Sequence, residues 1–156
     1  MIKPLFNATD DEWVAMVGRY ILNMGAVEAA TRLLITSILD TESAPIFRDD
    51  LAARLGYIRK RFPRGNSSRH QWAMKAFALA DKHTSFRNIV AHSPIAITGN
   101  TDGTFHIQGI MDLTPKDKNI VAELISLEEL KGRVNESSVL GRQLLEMQSD
   151  FTSTNG

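Results

Sequence analysis

The residues best suited to chemistry in this chain stand together in Arg87-Asn88-Ile89-Val90-Ala91-His92. Histidine accepts and donates protons near neutral pH. Arginine carries a permanent charge and a planar fork of N–H donors that matches phosphoryl oxygens. On a helix Asn88 and His92 share one face, a turn apart, whereas Arg87 lies about 140° from His92. One helix therefore cannot easily aim Arg87 and His92 at a single phosphate. A two-fold axis removes the difficulty, because the same patch meets itself and the two copies pool an arginine and a histidine. A blander reading makes His92 a cation placed at a helix C-terminus, where the macrodipole favours it. Arg87, at least a turn earlier, gains little from that. Arg64 and His70 match a looser Arg-to-His spacing in a stretch that reads as loop. The helical context, the Asn directly after Arg87 and the Ser93-Pro94 stop give the first match its weight.

Two further features contradict their surroundings. Glu28 lies one heptad after Ile21 and one before Ile35, which puts a carboxylate on an apolar line. It either pairs with Arg32 one turn on or faces a polar site or a partner. The second is favoured, because a buried unpaired charge is costly. From Leu51 to Ala80 the chain carries Arg54, Arg59, Lys60, Arg61, Arg64, Arg69 and Lys75 and no acid. That run is either an RNA-backbone surface or a solvated helix face with a basic loop.

Long helices must position these groups. Thr9-Asp10-Asp11-Glu12 has capping-box spacing. Trp13, Val14, Val17, Ile21, Met24, Ile35 and Ile38 then recur with helical period, predicting a helix over about 10–40. Thr41-Glu42-Ser43-Ala44-Pro45 is the expected break. A second helix is expected over about 47–62, with Leu51, Leu55, Ile58 and Phe62 as its stripe. A third is expected over about 69–92, capped by Ser67 or Ser68, with Trp72, Ala76, Leu79, Phe86 and Val90 inward. Alternation in Ile95–Thr98 and Thr104–Gln108 predicts a β-hairpin, and a short strand is expected near 119–123. Ser126-Leu127-Glu128-Glu129 opens a last helix to about Phe151, with Leu130, Val134, Leu144 and Leu145 inward and Gly132 and Gly141 disturbing it. The expected fold is all-α: an antiparallel helical bundle with a small β-hairpin inserted before the last helix, one domain with its core over about 10–150.

Composition narrows the classes. The chain has 156 residues, 43% hydrophobic and 23% charged, with a formal net charge of +0, so bulk charge does not announce a polyanion partner. Zero cysteines exclude a disulfide and a thiolate metal site. The four histidines show no HxxxH or HxH pair, so no metal or other cofactor is expected. No apolar run approaches the ~20 residues of a membrane span, and the N-terminus lacks a long apolar leader. The expectation is a cytoplasmic protein without a membrane partner.

Arg87-Asn88-Ile89-Val90-Ala91-His92 resembles the RN-x-x-x-H signature of HEPN-domain proteins. The first helix, from Gly18 to Leu34 with Glu28 among apolar residues, is also similar to that family's pattern, and the order of elements is compatible over about residues 10–150. The resemblance implies a compact helical bundle that forms a homodimer through its Arg87–His92 helix. It implies a metal-independent endoribonuclease of toxin–antitoxin, abortive-infection or CRISPR type. Arg87 and His92 would be catalytic, Asn88 would support them, and Glu28 matches a less uniform family feature. The substrate RNA would supply its own 2′-OH and leave a 2′,3′-cyclic phosphate, and the basic run would hold the RNA backbone. A cognate antitoxin or inhibitor protein is an implied partner. Some HEPN toxins carry a modified tyrosine two residues after the histidine; Pro94 stands there in this chain. The alternative from another class is a non-catalytic HEPN module that binds a nucleotide or a partner protein. The third reading is a structural helical dimer whose apolar surface serves assembly alone.

Overall fold

The computed structural model describes residues 10–39 and 50–152. Helices α1 (Asp10–Leu39), α2 (Leu51–Arg61) and α3 (Ser67–His92) come first. Strands β1 (Ile95–Gly99), β2 (Phe105–Asp112) and β3 (Glu123–Ile125) follow, then α4 (Leu127–Ser137), α5 (Leu140–Glu146) and α6 (Gln148–Thr152). Thr9, the Thr41–Pro45 break and the expected start of the second helix at Phe47 lie outside the described residues.

Local chemistry accounts for the helix ends. The Asp50 side chain accepts the Ala53 N–H and starts α2. Asn66, rather than Ser67 or Ser68, caps α3 by accepting the Arg69 N–H at 3.0 Å; the two serines are its first helical residues. Ser126 accepts the Glu129 N–H at 3.1 Å, as its capping-box spacing predicts.

The expected last helix is three helices, and neither glycine causes the break. Asn23 on α1 donates to the Val134 carbonyl at 3.1 Å and to Ser137 Oγ at 3.0 Å. The Val134 carbonyl also accepts the Ser138 N–H at 3.1 Å, and α4 stops at Ser137, where Asn23 docks on it. Gly141 instead permits close packing, since a Cβ there would stand 3.0 Å from Ala26 Cβ.

The bundle is not antiparallel throughout. The short α2–α3 connection gives antiparallel neighbours, marked by Phe62 against Phe77 and by the Arg59–Asp81 pair. α3 also opposes α4–α6, with Arg69 bonded to Asp150 and His83 to Glu136. α1, however, runs in the same direction as α4–α6: Glu12 pairs with Lys131, Asn23 meets Ser137 and Ser37 meets Gln148. The long connection through the sheet makes this parallel return possible, whereas short loops force reversal.

That connection is a three-stranded antiparallel sheet in the order β1-β2-β3, not a lone hairpin. β2 extends to Asp112 and pairs Ile110 with Ile125 and Asp112 with Glu123. The expected strand near 119–123 is displaced to 123–125, because Asp117 accepts the Asn119 N–H and holds a turn there.

Tyr20, Met24, Val27, Leu34, Leu55, Ile58, Phe77, Leu130, Leu140, Leu144 and Met147 form the centre of the core. The α2 stripe of Leu51, Leu55, Ile58 and Phe62 is buried as expected. On α3 the buried line is Ala73, Ala76, Phe77, Ala80, His83 and Phe86, while Trp72, Leu79 and Val90 pack at its edge. Val14, Ile21 and Leu145 face outward, against expectation. α1 is the one described helix that meets the length and composition of a membrane span, a property the run-length reading missed. Its inward face packs the protein core.

Candidate functional site

The C-terminal half of α3 crosses α1 and faces the start of α2, and a polar cleft of about 360 Å³ opens at this meeting. Glu28 from α1, Asp50, Leu51 and Arg54 from the α2 start, and Thr84, Ser85, Arg87 and Asn88 from α3 line it. Four residues singled out from sequence, Glu28, Arg54, Arg87 and Asn88, therefore share one cavity. Arg87 Nη2 stands 3.3 Å from Glu28 Oε1, and Arg87 Nη1 donates to Asn88 Oδ1 at 3.3 Å. Both members of the ion pair keep about a third of their side-chain surface in contact with solvent. Glu28 thus pairs across helices with Arg87, not along its own helix with Arg32.

His92 occupies a neighbouring groove. It lines a second concavity of about 470 Å³ with Ser85, Asn88, Ile89, Ser93, Leu113 and Thr114. Asn88 and Ser85 border both hollows. Arg87 and His92 line different hollows of one copy, as their angular separation on a helix requires. The imidazole is exposed at the last turn of α3.

The basic run does not act as one surface. Arg54 is buried, 4% exposed, and its Nε donates to Thr31 Oγ1 at 3.1 Å. It is a wall of the cleft, not part of an outer basic face. Arg69 holds the Asp150 carboxylate and the Glu146 carbonyl and stacks on Trp72. That places it in the packing of α3 on α6. Arg59 is committed to Asp81, and Arg61 stacks over Tyr57. Lys60, Arg61, Arg64 and Lys75 are exposed, but they gather at the α2–α3 turn. Lys75, the nearest of them along α3, lies about 18 Å of helix before Arg87. The exposed charges and the cleft therefore occupy different ends of α3.

Sequence reading missed His83. Its side chain is 0% exposed. Nδ1 stands 3.0 Å from Tyr20 Oη, and Nε2 stands 3.1 Å from Glu136 Oε2. Lys82 and Arg133 flank the same carboxylate at 3.6 Å. Burial pushes the His83 pKa down and that of the Tyr20 hydroxyl up. Burial alone would raise that of Glu136, but Lys82, Arg133 and the His83 bond hold it below its usual value. In a neutral ring beside an ionised carboxylate, Nε2–H donates to Glu136 and Nδ1 is left as an acceptor facing the Tyr20 hydroxyl, whose single hydrogen is shared between Nδ1 and the His83 main-chain carbonyl at 3.1 Å. This chain of bonds ties α1, α3 and α4 together one turn before Arg87. The signal was available, since His83 interrupts the apolar line through Ala76 and Ala80, as Glu28 interrupts its own.

Among the described residues no group of three or more His, Asp or Glu side chains gathers in a way that could hold a metal ion. The cleft's chemistry is that of two guanidinium groups, two carboxylates, an amide and two hydroxyls around a solvent-open space. Such a lining suits a polar guest held by directional hydrogen bonds. Comparison with protein-family models, curated proteins and solved structures returned no match.

Proposed function

We propose that the chain is a metal-independent endoribonuclease of HEPN type that works as a homodimer. The observation that carries this reading is the shared cleft. Glu28, Arg87 and Asn88, chosen from sequence for their types and spacing, line one cavity, and Asn88 joins it to the groove of His92. In this reading Arg87 stabilises charge on the scissile phosphate. His92 of the other copy exchanges a proton with the 2′-OH or the leaving oxygen. Asn88 orients the phosphate, and Glu28 aims the guanidinium until substrate arrives. Arg54 supplies a second cationic wall. The exposed Lys60, Arg61, Arg64 and Lys75 attract RNA at a distance rather than hold the reacting phosphate. A toxin or phage-defence role, with a cognate antitoxin or inhibitor, belongs to the same reading, and so does a cytoplasmic location.

One observation favours a second reading. Arg87 is already neutralised by Glu28 in the free protein, as suits a pocket that binds a nucleotide or partner without cutting it. Cleavage of labelled single-stranded RNA in excess EDTA separates the two. The ribonuclease reading expects cutting by wild type and none by Arg87→Ala or His92→Ala with unchanged circular dichroism. An intact RNA with wild type, together with nucleotide binding that Arg87→Ala weakens, selects the binding module.

A further inference from the structure

The outward face of α1 carries a repeat that the cleft does not use. Asp11, Gly18, Gly25 and Arg32 are spaced by heptads, so they follow one line along the helix with a drift of about 20° per step. All four are exposed. Ala15, Leu22 and Ala29 flank this line on one side, and Val14 and Ile21 on the other. Leu22 is 75% exposed, Val14 62% and Leu33 53%. A Cβ at Gly18 or Gly25 would meet nothing within 4 Å. The face is therefore apolar and, among the described residues, uncovered, and at its N-terminal end Val14 and Gly18 edge an apolar groove of about 350 Å³ against Ile95, Ile107 and Ile110 of the sheet. Its only charges on the line stand at its two ends, acid first and base last. No other described side chain pairs with Asp11 or Arg32.

The order acid, glycine, glycine, base is complementary to its own reverse. Gly18 and Gly25 are equidistant from the midpoint between Ile21 and Leu22, and so are Asp11 and Arg32, and Val14 and Ala29. A single two-fold axis through that midpoint satisfies every pair at once. We propose that α1 of one copy packs antiparallel on α1 of a second copy, Gly18 opposite Gly25 and Asp11 opposite Arg32. Paired glycines let two helix backbones approach closely, the large apolar groups leave water, and opposite macrodipole ends come together. Glu28 borders this line, so the second copy's α1 rims the Glu28–Arg87 cleft, with its Ala15 level with Glu28. The pairing deepens the dimer of the ribonuclease reading, moves its main contact from α3 to α1, and rests on none of that reading's chemistry. A lipid surface is the rival occupant. It is disfavoured because it would desolvate Asp11 and Arg32 on the face itself.

The chain has no cysteine, so introduced thiols report the register without interference. The full chain is first run by sedimentation equilibrium, where the expected mass is twice the 17.4 kDa of one chain. Gly18→Cys and Gly25→Cys, mixed and oxidised, should form a disulfide dimer that neither variant forms alone. Arg32→Asp should weaken dimerisation roughly tenfold, and adding Asp11→Arg should restore it, since the exchanged charges again face each other. A monomer at high micromolar concentration overturns the proposal, as does rapid disulfide formation by Gly18→Cys alone, which marks a parallel pair. A monomer that cosediments with phosphatidylcholine–phosphatidylglycerol vesicles, and is released by Leu22→Asp, assigns the face to lipid instead. Each of these results stands whether or not the protein cuts RNA, and failure to cut RNA leaves them unchanged.

Discussion

Removing the Tyr20 hydroxyl should destabilise this protein more than removing the His83 ring it touches. In Tyr20→Phe the buried Nδ1 of His83 loses its donor, at 3.0 Å in wild type. An unsatisfied buried polar atom costs about 1–3 kcal/mol. In His83→Leu, a swap of similar volume, the Tyr20 hydroxyl is not stranded, because the main-chain carbonyl of residue 83 lies 3.1 Å away. Glu136 is not stranded either, because Lys82 and Arg133 remain beside it. The cost is then that of imperfect repacking, about 1 kcal/mol or less. The double variant has no stranded atom, so the two effects should fall short of additivity by about 1 kcal/mol. Urea unfolding at pH 7.5 followed by circular dichroism measures all four proteins. Equal losses for the two single variants, or strict additivity, would refute the assignment of Nδ1 as an acceptor served by Tyr20 alone.

The same network sets a pH dependence. The folded His83 pKa lies below its ordinary 6.5, so the unfolded chain binds the extra proton first. Stability should therefore fall as pH drops below about 6.5, and His83→Leu should flatten that part of the curve in unfolding titrations. Glu28→Gln removes a partly exposed pair worth under about 1 kcal/mol. It should shift Tm by no more than about 4 °C yet lower RNA cleavage, read in one preparation by calorimetry and a nuclease assay. Arg69→Ala should cost about 1–2 kcal/mol, because it breaks a bidentate charge-assisted pair and a stacking contact, and should leave cleavage per folded molecule unchanged. Lys60→Ala with Arg64→Ala should leave Tm unchanged and reduce the salt dependence of RNA binding by filter assay.

What sequence made legible follows from how local each signal is. Ser126 capping, the α2 stripe and the α3 stop at Ser93-Pro94 depend on neighbours in the chain, and each stands where its spacing puts it. Glu28 was found because a carboxylate on an apolar line needs a partner, but only the packing of α3 names Arg87 rather than Arg32. The end of α4 at Ser137 coincides with its contact to Asn23, more than a hundred residues away, which no local pattern announces. The division of the basic run between packing and surface has the same origin. Asp81 and Asp150, which neutralise Arg59 and Arg69, lie outside it. Val14 and Ile21 look like core by period, and their exposure is visible only when the inward face of α1 is seen to be Trp13, Tyr20, Met24 and Val27.

The central claim is that one cleft draws Arg87 and His92 from two copies, and mixing inactive variants tests it most directly. Arg87→Ala and His92→Ala proteins are assayed on labelled RNA in EDTA, first singly and then after joint unfolding and refolding. If each site is composite, a mixed dimer holds one intact pair, and the mixture should recover about a quarter of wild-type cleavage. If the mixture stays as inactive as its parts while wild type cuts, each site is built within a single copy and the pooled-site account is wrong.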